Sequence, residues 1–122
     1  MPEYCLASDV GSRLGLNSAQ RTQASSRLTT AIRRATIDVD QCWRDYGRDV
    51  PSTGATDGGS GLYTQTDTLK VIREICADLA AAYYMEDEGT FQTTGPDGTL
   101  RGGVLRERGE KNLMQIAHLG TI

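Results

Sequence analysis

The 122-residue sequence predicts an all-α domain. Apolar residues return at helical spacing over three stretches, and a glycine closes each of them, at Gly47, Gly89 and Gly120. Between the first two stretches, the run "STGATDGGSG" after Pro51 has little apolar surface to bury and reads as a joint. The expected architecture is a small bundle of a long amphipathic helix, a second apolar helix and a C-terminal helix. A short N-terminal helix and a small β-hairpin or ordered loop complete it. Residues 1–122 form one domain, since this length supports one modest core and not two.

The long helix is expected from Ser18, whose hydroxyl suits an N-cap, to Gly47, a distance of roughly 43 Å. At about 100° per residue, Leu28, Ile32, Ala35, Val39, Cys42, Trp43 and Tyr46 share one core-facing arc. Ile37 projects to the far side, among Thr30, Arg33 and Arg44. It is either an isolated surface residue or a contact with another subunit.

The joint, residues 52–61, is expected to be a mobile loop. A phosphate cradle is excluded by the missing G-K-[ST], the missing G-x-G-x-x-G and the lack of a preceding strand. Thr66 or Asp67 caps the second helix, which runs to Gly89. Leu69, Ile72, Cys76, Leu79, Ala80 and Tyr83 make its main stripe, and Val71, Ile75 and Ala82 widen the stripe toward half the circumference. Lys70, Arg73, Glu74 and Asp78 mark the wet face. With only two other long helices to cover so apolar a rod, a second copy of the chain becomes a candidate for the missing cover.

"FQTTGPDGTLRGG" centres on a Pro-Asp-Gly turn and reads as the hairpin or ordered loop. From Val104 to about Leu119, Leu105, Leu113, Ile116 and Ala117 mark one face of the third helix.

A net charge of −3 argues against general affinity for polyanions. The charge is segregated: residues 18–46 carry five arginines against three aspartates, whereas residues 67–88 carry two bases against six acids. Unlike faces of this kind suit packing within one chain or between copies. No apolar run approaches the ~20 residues that cross a bilayer, and "MPEYCLASDV" lacks the pattern of a secretory signal, so folding in a cytoplasm is expected.

Catalytic patterns are missing. Asp38 and Asp40 diverge by about 200° on a helix, so they cannot serve one substrate atom, and Asp40 is expected to pair with Arg44. His118, the only histidine, has no partner at a recognisable catalytic spacing. Three cysteines more than thirty residues apart form no metal motif, so neither a cofactor nor a metal is expected. The acids at 86–88 are either a solvated helix end or a partner-facing patch. Cys42 and Cys76 occupy core registers, where a thiol behaves as a small hydrophobe, and in an antiparallel hairpin they fall at different heights. Cys5, near the expected exposed N-terminus, is either an ordinary free thiol or the site of an intermolecular disulfide.

The order of "YCLASDVGSRLG", "RLTTAIRRATIDVDQCWRDYG", "TLKVIREICADLAAAYYMEDEG" and "EKNLMQIAHLGTI" resembles the head-tail connector adaptor proteins of tailed bacteriophages. That resemblance implies a virion neck protein, assembled in the host cytoplasm as a homo-oligomeric ring, usually of twelve copies. The ring would join the portal protein to the stopper or tail and let packaged DNA pass without sequence-specific binding. It also implies that the C-terminal segment, residues 113–122, docks on the portal, with Leu113, Ile116, Leu119 and Ile122 as the contacting side chains. Arg33, Arg34, Ile37, Val71 and Ile75 are the expected subunit interface. A different class of function, a small helical DNA-binding regulator using Arg21, Arg27, Arg33 and Arg34, is the alternative. It lacks the two short helices and tight turn of a helix-turn-helix. An enzyme is the third and weakest reading.

Overall fold

The computed structural model describes residues 3–56, 58–87 and 101–120. Among them are five helices: α1 (Ala7–Leu14), α2 (Ser18–Gln23), α3 (Ser25–Asp45), α4 (Asp67–Asp87) and α5 (Arg101–Leu119). The fold is an all-α bundle in which α3, α4 and α5 pack together, with α1 laid against α4.

The first helix is held at its N-terminus by Asp9, whose carboxylate accepts the Leu6 N–H at 2.9 Å. Asn17 then caps α2 reciprocally with Gln20, each backbone N–H donating to the other's side-chain oxygen at 2.9 Å. The cap is thus Asn17 and not Ser18. The expected long helix is also divided, because Ala24 leaves helical geometry and α3 restarts at Ser25. Local periodicity could not show this break. The turn "SAQRTQ" buries none of its residues, so no apolar stripe binds it to the line of α3, and the stem of Arg21 lies across Gly11 of α1.

The end of α3 follows the expected pattern. Gly47 takes a φ of 71°, its N–H donates to the Arg44 carbonyl at 2.8 Å, and the Arg48 N–H reaches the Trp43 carbonyl at 3.1 Å. The side chain of Arg48 then serves another helix: its guanidinium donates to the carbonyls of Ala117 and His118 at 3.1 and 2.9 Å, closing the C-terminus of α5.

Thr66 caps α4 by accepting the Leu69 N–H at 3.1 Å. This helix is the centre of the molecule, with every residue from Ile75 to Tyr83 buried. The cover that two long helices were not expected to provide comes from α1, α3 and α5 of the same chain. The apolar arc of α4 therefore does not require a second copy. Asp78, expected on the wet face, is only 4% exposed.

The sequence "LRGG" at 100–103 was expected in the hairpin region, but Arg101–Gly103 already belong to α5. The rest of that expected hairpin and the helix end at Gly89 lie outside the described residues. The ends of the glycine-rich joint are fastened to the N-terminal segment. Glu3 forms a short parallel bridge with Leu62, its N–H donating to the Gly61 carbonyl at 2.9 Å. The buried Tyr4 hydroxyl donates to Asp40 at 2.6 Å and accepts the Ser52 N–H at 3.2 Å.

Candidate functional site

The outward face of α3 is the surface on which the expected site residues can be judged. Its inward face, Leu28, Ala31, Ile32, Ala35, Val39 and Trp43, is buried in the bundle. Opposite it, Ile37 is 65% exposed, in a stripe with the exposed Thr30, Arg33 and Arg44. Residues three and four apart on a helix adjoin, so Arg33 flanks Ile37 directly. At the N-terminal end of this stripe, Ser25, Ser26, Thr29, Thr30 and Arg33 line a shallow hollow.

The two neighbouring arginines do different things. Arg33 points outward, with only a 3.9 Å approach to Glu3. Arg34 lies with its guanidinium carbon 4.1 Å from the centroid of the Tyr83 ring and its Nη1 3.6 Å from Asp87 Oδ1, so it clips α3 to α4. The Tyr83 hydroxyl donates to Asp38, and burial together with this bond pushes its pKa up to about 12. Asp40, expected to pair with Arg44, instead accepts a hydrogen bond from the Tyr4 hydroxyl. The two aspartates thus serve separate tyrosines.

The remaining expected interface residues divide by burial. Val71 is at the edge of exposure, but Ile75 is buried against the core and offers nothing to a neighbour. Among the C-terminal residues, Leu113 and Ile116 are also in the core, whereas Leu119 is 65% exposed. Ile122 lies outside the described residues. The register of α5 explains this: the face expected to dock is the one α4 needs. Of the acids at 86–88, Glu86 stands 3.5 Å from Arg106 and Asp87 meets Arg34, so both have partners in their own chain. Tyr46, expected between the helices, is instead half-exposed and sets its ring edge-on to His118 at 5.5 Å.

Cys5 is corrected most sharply. It is 1% exposed, not at a free surface, and its sulfur lies 3.2 Å from that of Cys76. All three cysteines are free thiols.

The main feature the sequence did not disclose is a charge cluster around Asp78. Its Oδ1 accepts from Arg13 Nε at 2.6 Å and from Arg108 at 2.7 Å, while Oδ2 accepts from Arg108 Nε at 2.9 Å. Arg13 also reaches Glu74. Burial works against the charge on Arg13, but Asp78 and Glu74 together hold its pKa above the ordinary value. The members come from α1, α4 and α5, separated by 30 to 65 residues, so no local spacing announces them. Geometrically this is a clamp joining three helices.

Among the described residues no group of three His, Cys, Asp or Glu could hold a metal ion, and no helix is long and apolar enough to cross a membrane. Comparison with family models, with curated proteins and with solved structures gave no match.

Proposed function

We propose that the chain is a structural, ring-forming adaptor of the bacteriophage neck, joining the portal to the stopper or tail as a homo-oligomer, with twelve copies the expected number and no reaction to catalyse. The observation that carries this reading is the divided surface of α3. One face is consumed by the bundle, and the other presents a large apolar side chain, Ile37, beside the outward Arg33. Apolar burial would supply most of the contact, and the charge would set register. Leu119 at the end of α5 is the apolar group available for portal docking.

The regulator reading is less favoured by the arginines themselves. Arg34 is committed to Tyr83 and Asp87, Arg27 lies 5.8 Å from the centroid of the Tyr84 ring, and Arg21 covers Gly11. Such fastened side chains make a poor counterion-displacing array.

The test is to mix the purified chain with a bacteriophage portal protein from the same genome and examine the products by negative-stain electron microscopy. Stacked rings on the portal are expected. Ile37→Glu should leave the helical content intact and abolish ring formation, and Leu119→Glu should spare the rings but weaken their attachment. A chain that stays monomeric at high concentration and ignores the portal would reject the reading.

A further inference from the structure

Cys5 and Cys76 are separated by 71 positions in sequence, yet their sulfurs are 3.2 Å apart. Cys5 is on the segment that precedes α1, and Cys76 is at the middle of α4. Both are buried, and the Thr36 hydroxyl lies 3.9 Å from the Cys76 sulfur. Cys42 is on α3, outside this pair, and is half-buried. Few side-chain pairs are so disposed to join: a disulfide needs a sulfur separation of about 2.05 Å, so the closure required is on the order of 1 Å.

We propose that Cys5 and Cys76 are an intrachain disulfide site, oxidised by a small-molecule disulfide of the glutathione type, and that the bond fastens the N-terminal segment covalently to α4. The thiolate of Cys5 attacks one sulfur of the small disulfide, forming a mixed disulfide and releasing one small thiol. The thiolate of Cys76 then attacks the Cys5 sulfur, the protein disulfide forms, and the second small thiol leaves. The two cysteines together lose two protons and two electrons, which are recovered in the two small thiols.

The surroundings also dictate when this happens. Contact with Cys76 and burial raise the Cys5 pKa far above the ordinary thiol range, so the closed form exchanges slowly. Opening requires release of the Glu3 bridge to Gly61 and Tyr63, of the Thr36 hydroxyl's bond to the Glu3 carboxylate and of the Tyr4 hydrogen bonds. These attachments are few and belong to one segment, so a local opening exposes the pair without unfolding the bundle. Once made, the bond closes a long loop and constrains the unfolded chain.

The experiment uses the full chain and its Cys42→Ser variant, each incubated with oxidised glutathione in mild urea, returned to buffer, and alkylated under denaturing conditions. The variant should lose about 2 Da with no thiol left to alkylate. A peptide joining Cys5 to Cys76 should appear by mass spectrometry in both proteins. The midpoint of thermal unfolding should rise by roughly 10 °C, reversibly on reduction. Stable glutathione adducts on Cys5 or Cys76, dimers linked through either of them, a bridge through Cys42 in the full chain, or free thiols at Cys5 and Cys76 at equilibrium would each overturn the proposal.

Discussion

Arg13 Nε stands 2.6 Å from Oδ1 of Asp78, joining α1 to α4 across 65 residues of sequence. Arg108 of α5 closes on the same carboxylate, so one buried acid holds two bases from opposite ends of the chain.

Removing that acid leaves the mostly buried Arg13 with the exposed Glu74 as its carboxylate partner on α4. Asp78→Ala should cost about 3–5 kcal/mol in urea unfolding, chiefly because Arg13 loses its main partner while three-quarters buried or more. Arg108→Ala should cost less than about 1 kcal/mol, since its side chain is half in water. Equal losses for the two variants would mean that the carboxylate is not the centre of the clamp.

Asp9 supplies a pH dependence. Burial alone would raise its pKa, but the paired donors of Arg73, each at 2.9 Å, and the Leu6 N–H hold it below the ordinary 3.8. A carboxyl depressed in the folded state contributes stability that is present above the unfolded value and lost as pH falls through the folded one. Asp9→Asn should therefore be less stable than the parent at neutral pH, and the gap should shrink below pH ~4. Urea titrations at several pH values measure it, and a gap unchanged down to pH ~2 would contradict the linkage.

At Gly109, a Cβ would come within 2.9 Å of both Cγ and Cδ2 of the buried Leu79. The helices α4 and α5 approach closely because this position has no side chain. Gly109→Ala gains about 1 kcal/mol of helix propensity but loses about 1–3 by overpacking. Gly109→Leu adds three more carbons and should be destabilised by more than about 2 kcal/mol. Thermal unfolding followed by circular dichroism would read the order Gly109, Ala, Leu, and a Leu variant as stable as the parent would show that α5 can move away freely.

Trp43 and Tyr46 lie three residues apart on the same expected arc, yet only Trp43 is buried, at 3% exposure against 42%. Trp43→Ala should cost about 3–5 kcal/mol. Tyr46→Ala should cost near 1 kcal/mol, with most of that from the His118 contact. Chemical denaturation of both variants compares them directly, and similar losses would refute the difference in enclosure.

What the sequence determined by itself was local in origin. The helical class, the Gly47 and Gly120 stops, a cap at Thr66 or Asp67, the inward stripe of α3 and the exposure of Ile37 all follow from spacings of a few residues. Such features depend on the 3.6-residue period and on backbone groups satisfied nearby. The tertiary structure alone decided how much of each apolar arc would be used. Ile75, Leu113 and Ile116 read as available surface only until α1, α3 and α5 close around α4. It alone turned Asp78 from a wet-face marker into a buried clamp, because the compensating arginines come from distant helices. It also brought Cys5 to Cys76 when the N-terminal segment folded back along the joint. Hydropathy scores each residue against water, whereas burial depends on the partners that the rest of the chain supplies.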